Sequence, residues 1–328
     1  MLNTNIDTSI SQLSLLSYNT CGWNSFKSKM INDLLISEKN YILAIQEHMM
    51  LPQNIHKIQD SFSDFELFAI PAFKANTHIS RGRPSGGLGF VFHKNLSKMI
   101  VRLNSPDSNR VQGLRLNFSN DSYVLINSYF PVDKRDGNID ELLRVLQDIK
   151  YIIDLCDDNC KIILLGDLNC DFNRDTIFCN HVKDFCEENS LISIWSKFDC
   201  DFTHSQTKLV NGVERTYFSS IDHFCVKNDF LKDCIESFPL HTPENLSNHE
   251  PIFLKFNCRE TTLEGSGDIP IKINTQSRPI WDRASQFNLD NYKLRLQQLI
   301  CNIDVPVVAI TCTDVHCLCA DHKIVIDQ

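Results

Sequence analysis

The sequence predicts a four-layer α/β sandwich, with two mixed β-sheets packed face to face and helices outside. Three observations carry that expectation. Apolar runs of strand length alternate with helical patterns from about residue 10 to residue 258. No segment recurs at a fixed period, which excludes a solenoid or a propeller. A hydrophobic content of 42% in a chain of 328 residues supplies a substantial core.

The elements follow in order. Leu13 to Tyr18 reads as a buried strand that ends at Asn19. Ser25 can cap a helix running to about Ser37, with Met30, Ile31, Leu34 and Leu35 on one face. Tyr41 to Gln46 is a second apolar strand and stops at Glu47 and His48. Phe65 to Ile70, Gly87 to Phe92, Met99 to Leu103, Val111 to Phe118 and Tyr123 to Tyr129 are successive strands separated by polar turns. Asn138 to Leu155 is the longest helical pattern, with Ile139, Leu142, Leu143, Leu146, Ile149 and Ile153 at helical spacing. It leads into KIILLGDLNCD, residues Lys161 to Asp171, where a continuous apolar run ends at Gly166 and presents Asp167 and Asn169. Period-2 geometry puts those two side chains on one side and turns Leu168 the other way.

Thr176 to Glu188 reads as a helix, Leu191 to Trp195 as a strand, and Ser219 to Val226 and Pro251 to Phe256 as the last strands. Between them, Thr207 to Thr216 centres on Asn-Gly, the signature of a two-residue type I′ hairpin. The expected domain spans residues 10–258 after a flexible start, 1–9. Residues 259–280, polar and rich in Gly and Ser, read as a linker, and 281–328 as a partial helical tail too short for a core of its own.

Composition narrows the function. A formal charge of −9 excludes a protein that coats nucleic acid by charge alone. No apolar run of about 18 residues predicts a membrane span, and the N-terminus lacks the basic start and apolar block of a secretory signal. The expected location is therefore intracellular, nucleus or cytoplasm, and not secreted. In that reducing compartment the fourteen scattered cysteines read mostly as small buried hydrophobes.

The strand ends carry the chemistry. Asn19, Glu47, Tyr129, Asp167, Asn169, Asp222 and His249 each close or flank an apolar run, and each can bind a metal, orient water or hold a phosphate oxygen. Singly, each has a plain structural explanation; seven in register do not. In order, SYN (17–19), QEH (46–48), SYFP (128–131), GDLN (166–169), SSIDH (219–223) and SNHEP (247–251) resemble the endonuclease/exonuclease/phosphatase superfamily. Within it the chain is most similar to the apurinic-type endonuclease domain of non-LTR (LINE-like) retrotransposons. RPIWDRAS and NYKLRLQQL in the tail resemble the segment that joins this domain to a reverse transcriptase. The resemblance implies a monomeric DNA endonuclease that uses Mg2+, with Mn2+ as an alternative, expected as a truncated element product separated from its reverse transcriptase.

Phosphodiester hydrolysis explains the residue types. Glu47 is the expected Mg2+ ligand, since that ion takes a few hard oxygens and keeps several waters. Asp167 is expected to position or deprotonate the attacking water, with Asn19 and Asn169 beside it. Asp222 fixes His249 and favours its protonated form, and Tyr129 donates its hydroxyl to phosphate or the leaving oxygen. Asn248, also a candidate metal ligand, stands where the family usually has Asp. It surrenders a negative charge, so the expectation is weakened cation affinity and activity that Asn248→Asp would raise. Val132 replaces an Asn found in some apurinic endonucleases. Thr203, Lys208 and Arg215, at and on the hairpin, are the candidate DNA contacts.

Other readings stay open: a superfamily phosphatase or lipid phosphodiesterase, and a non-catalytic remnant. Against the former, inositol phosphatases of the superfamily usually carry Arg where His223 stands. Cys312, His316, Cys317, Cys319 and His322 lack paired zinc-ligand spacing. Ser85 to Phe90 lacks the lysine of a phosphate-binding loop.

Overall fold

The computed structural model describes residues 9–36, 41–72, 84–103, 108–118, 121–133, 138–157 and 159–262. The strands in chain order are β1 Ser9–Asn19, β2 Tyr41–Gln46, β3 Phe65–Ile70, β4 Leu88–His93, β5 Ile100–Leu103, β6 Val111–Asn117 and β7 Ser122–Tyr129. They continue with β8 Lys161–Asp167, β9 Leu191–Ser193, β10 His204–Val210, β11 Val213–Ser219, β12 Asp222–Lys227, β13 Cys234–Pro239 and β14 Ile252–Thr262. The α-helices are α1 Ser25–Ile36, α2 His56–Gln59, α3 Ile139–Asp154 and α4 Ile177–Glu188.

Two six-stranded sheets result, ordered β13-β14-β1-β2-β4-β3 and β5-β6-β7-β8-β12-β9. Both are mixed, because each contains one parallel pair: β1 with β2, and β7 with β8. Each pair is joined by a crossover helix, α1 and α3, as a parallel connection requires. The inner faces meet in one core that includes Leu15, Ile42, Phe90, Leu125, Ile163, Phe224 and Leu254. The outer face of the first sheet packs on Ile31 and Leu35 of α1, and that of the second on Leu142 and Ile149 of α3 and Val182 of α4. The four-layer sandwich is what the alternating pattern predicted.

This topology creates a site. Parallel strands present the same end to one side, so β1, β2, β7 and β8 all finish at one rim, at Asn19, Gln46, Tyr129 and Asp167. The antiparallel neighbours start there: Asp222 pairs with Asp167, and Ile252 pairs with Ser17, just after His249. Beneath the rim a buried polar bridge links the sheets. Gln46 Nε2 donates to Asn127 Oδ1 (2.8 Å) and Ser17 Oγ (3.1 Å), while Asn127 Nδ2 donates to the carbonyls of Ile45 and Gly89.

Some boundaries differ from expectation. Val145 and Ile152 of α3 are buried while Leu143 is 45% exposed, so the helix face is rotated from the expected one. The last strand was expected to end at Phe256 and runs six residues further, to Thr262. Strand β13 and the single turn α2 were not expected; in CIESFP apolar positions lack regular alternation, and pairing shifts register between Cys234 and Glu236. Ten cysteines among the described residues are free, seven of them buried. No helix among the described residues is long and apolar enough to cross a membrane. The expected N-terminus to residue 8, most of the linker and the whole tail, including its Cys and His residues, lie outside the described residues.

Candidate active site at the shared rim

Asp167 is the centre of the rim. As the last residue of β8 it is 1% exposed, and its Oδ2 accepts from Asn19 Nδ2 at 2.8 Å across the gap between sheets. The same amide nitrogen lies 3.1 Å from Glu47 Oε2, so Asn19 bridges two carboxylates. Asn19 is itself held, because its Oδ1 accepts from the Cys21 backbone at 2.9 Å and its carbonyl accepts from Ser247 Oγ at 2.8 Å. Tyr129 hydrogen bonds to Glu47, and Arg110 stacks over the Tyr129 ring at 5.0 Å.

The convergence of Asp167 and Asn169 has a different origin from the expected strand alternation. The strand ends at Asp167, and Asn169 adopts a left-handed φ of 46°. Its backbone N–H donates to Asp167 Oδ1 (2.9 Å), a local Asx-type turn, and its Nδ2 donates to the Phe130 carbonyl (3.0 Å). Leu168 is fully buried, as expected. Gly166 makes the turn fit: at φ 127° a Cβ there would stand 2.1 Å from the Ser128 carbonyl oxygen.

His249 faces Asp167 from the other side. Its Nδ1 lies 2.9 Å from Asp222 Oδ2, and its Nε2 lies 3.9 Å from Asp167 Oδ2. Burial alone would lower the pKa of His249, but the Asp222 and Asp167 carboxylates outweigh it and push the value up to about 9. Burial pushes Asp167 well above the usual carboxylate range, and the His249 charge only partly offsets that. Ligand atoms of Asp167, Asp222 and His249 lie within 4.8 Å of one another, a grouping that could hold a metal ion.

Thr203 was expected among the DNA contacts, but it is fully buried and its hydroxyl donates to Asp222 Oδ2 at 2.8 Å. The same hydroxyl accepts the backbone N–H groups of Ile221 and Asp222, so it orients the Asp222 carboxylate instead. Asn248 is exposed, with its amide turned to His204. Among the described residues no hydrogen bond joins it to Glu47, the other expected metal ligand. Lys208 and Arg215 sit opposite each other on the exposed arms of the β10–β11 hairpin, away from the buried group. Val132 is 48% exposed just beyond β7.

Several residues at the rim were not singled out from the sequence. His48 Nδ1 accepts from the Met50 backbone and its Nε2 lies 3.1 Å from the Ile70 carbonyl, which fixes a neutral ring whose pKa burial lowers to about 4. It anchors the segment after Glu47. Lys27 is 4% exposed and donates to the carbonyls of Thr20 and Gly22, tying down the loop after Asn19. A lysine early in a helix carries no sequence signal of such burial. His204 was adjacent to a noted residue, yet only the fold shows its ring tilted against His249, centroids 4.6 Å apart.

A sequence profile of the Endonuclease/Exonuclease/phosphatase family matches residues 16–249. The chain belongs to that family. No curated protein matches the chain in sequence. Among solved structures, the AP endonuclease LMAP from Leishmania major superposes with a TM-score of 0.59 at 14% identity, over 76% of this chain and 88% of that one. The endonuclease domain of TRAS1, a telomere-specific non-LTR retrotransposon, gives 0.53 at 15% identity, over 75% and 98%. The 3′ phosphatase NExo from Neisseria, solved with a product DNA hairpin, gives 0.56 at 14% identity, over 75% and 100%. At these identities the likeness is one of fold.

The His249 environment generates a measurable expectation. In a histidine NMR titration His249 should titrate near pH 9, and Asp222→Asn should lower that value by about one unit or more. The folded pKa lies above the ordinary 6.5, so this group's contribution to stability is complete below pH 6.5 and is lost as pH rises towards 9.

Proposed function

We propose that this protein is a divalent-metal-dependent phosphodiesterase that nicks DNA, of the kind found in non-LTR retrotransposons. One observation carries the reading: a continuous chain of contacts runs from Glu47 through Asn19 and Asp167 to His249 and Asp222, all at one rim. These residue types match the demands of phosphodiester hydrolysis, namely a base near neutral pKa, a positive group for phosphoryl oxygen and hard oxygen donors.

Asp167 is the base in this reading, because burial brings its pKa towards the working range of an enzyme at neutral pH. Asn19 Nδ2 and the Asn169 backbone N–H fix the carboxylate so that it meets a water in one orientation. His249, protonated at neutral pH and oriented by Asp222 and Thr203, offers its Nε2–H to a phosphoryl oxygen. Tyr129 is half-buried, and its hydroxyl, held by Glu47, lies on the same side of the rim.

The donor set suits Mg2+ or Mn2+: Glu47 is an only partly buried carboxylate beside the Asn19 amide and the Asp167 carboxylate, hard oxygen donors of the kind these ions take. Glu47 would hold the ion, with Asp167 adjacent through Asn19. When bound, such an ion neutralises charge on the phosphoryl oxygens and on the departing alkoxide.

The hairpin supports DNA as the substrate. It forms a separate two-stranded sheet whose arms are exposed, and its turn residues Asn211 (φ 52°) and Gly212 (φ 77°) have the left-handed geometry expected of Asn-Gly. Lys208 and Arg215 are directly opposed across it, a repulsive arrangement that a phosphate between them would relieve. Neither forms a salt bridge among the described residues.

With Mg2+, purified protein should convert supercoiled plasmid to open circles and release no phosphate from inositol phosphates. Glu47→Ala should reduce nicking by about a hundredfold or more. Equal nicking by the variant would remove the assignment, and phosphate release would move it to the phosphatase branch. In a filter-binding salt series, Lys208→Ala with Arg215→Ala should weaken DNA affinity for all sequences alike and reduce the salt slope by about 2. Unchanged affinity at low salt would count against the hairpin.

A further inference from the structure

The loop before β14 straddles the end of β1, and Asn245 anchors it there. Tyr18 and Asn19 point to opposite faces of the first sheet, Tyr18 into the outer core and Asn19 towards Asp167. The loop engages both. The Tyr18 hydroxyl donates to Asn245 Oδ1 at 2.7 Å, and Ser247 Oγ donates to the Asn19 carbonyl at 2.8 Å. Two residues further on, the buried His249 ring reaches Asp222 in the second sheet.

Backbone groups fix the protons of this clamp. Asn245 Oδ1 also accepts the Ser247 backbone N–H (3.0 Å), and its Nδ2 donates to the His249 backbone carbonyl (2.8 Å). A backbone N–H only donates and a backbone carbonyl only accepts, so the amide has one orientation, set independently at each of its ends. Its second N–H goes to Glu250 Oε2 at 2.9 Å, and with the Tyr18 bond all four of its hydrogen-bonding positions are used. Ser247 is fixed in the same way: its Oγ accepts the His249 backbone N–H (3.2 Å), and its own proton goes to the Asn19 carbonyl. Both backbone groups of His249 are therefore held by side chains of its own loop.

We propose that Asn245 is a positioning residue which, with Ser247, sets the backbone of His249 so that its ring meets Asp222 and faces Asp167. The inference rests on the nuclease reading above and deepens it. What the clamp fixes is a ring hung from the first sheet against carboxylates of the second. A misplacement of about 1 Å in such a site can lower the rate ~100-fold. Asn245→Asp keeps nearly the same shape but puts an oxygen where the nitrogen stands, so acceptor faces acceptor at the His249 carbonyl and at Glu250, and a charge is added beside the Glu250 carboxylate. Tyr18→Phe differs, since it forfeits one bond to Asn245 Oδ1 and leaves those to residues 247 and 249 in place.

Turnover and the His249 ring signal test this together on the full chain. In nicking assays with Mg2+, Asn245→Asp and Ser247→Ala should lower kcat about tenfold or more with KM within about twofold of wild type, while Tyr18→Phe should keep kcat within about threefold. In proton NMR spectra, the ring N–H that His249 directs at Asp222, assigned by its loss in His249→Gln, should be visible in wild type and in Tyr18→Phe. It should shift or vanish by exchange in Asn245→Asp and Ser247→Ala. Thermal unfolding shows which variants are folded, and Ser247→Ala carries the test if Asn245→Asp fails to fold. Wild-type kcat or an unmoved ring signal in a folded clamp variant overturns the positioning role while leaving the nuclease reading intact. No nicking by wild type, with the ring signal present there and lost in the clamp variants, overturns the nuclease reading and leaves the clamp standing.

Discussion

The burial of the Asp167 carboxylate between two sheets is the constraint on which the rest of the rim depends. An unpaired charge in such a place costs several kcal/mol, so the surroundings must hold it. They come from opposite sheets: Asn19 from β1, the Asn169 backbone from the turn after β8, and His249 from the loop before β14. The two sheets therefore cannot slide without exposing an unsatisfied carboxylate, and the Gln46 to Asn127 bridge beneath adds a second polar lock. Packing of the apolar inner faces brings the sheets together; these polar contacts fix their registration at the end where chemistry would occur.

The same constraint explains the backbone. Cys21, Glu47, Met49 and Asn169, all non-glycine residues at or near the rim, have φ between 46° and 56°. Such conformations are uncommon and persist where surrounding contacts determine them. Here each follows a strand end, where the chain must turn sharply to leave a polar group at the rim, and each lies beside a fixing bond. Cys21 N donates to Asn19 Oδ1, and Met49 N donates to the Gly86 carbonyl. Backbone strain and side-chain placement are thus one arrangement, seen from two directions.

Much of the fold was legible because it is written in local pattern. Strands β2 and β3 have the bounds that their apolar runs predicted, and Thr176 caps α4 with its hydroxyl accepting from Cys179 N. The positions of Asn19, Glu47, Asp167 and His249 were legible as strand-end polar residues, and the alternation of strands and helices implied that such ends share a rim. What local pattern cannot encode is pairing between distant residues. Thr203 and Asp222 are 19 positions apart, and His204 and Asn248 are 44 apart. A buried threonine that orients a carboxylate reads, in sequence, like any hydroxyl beside a hairpin. The Asp167 and Asn169 placement was reached for the wrong geometric reason, because strand alternation and an Asx-type turn can both bring residues two apart together.

The proposed centre is one divalent ion on the Glu47 carboxylate, with Asp167 and the protonated His249 beside it. Anomalous diffraction from crystals soaked in Mn2+ addresses it most directly. A single strong peak in direct contact with the Glu47 carboxylate, on the Asp167 and His249 side of the rim, is the predicted result. A peak bound elsewhere on the chain, or none at saturating Mn2+, would contradict it.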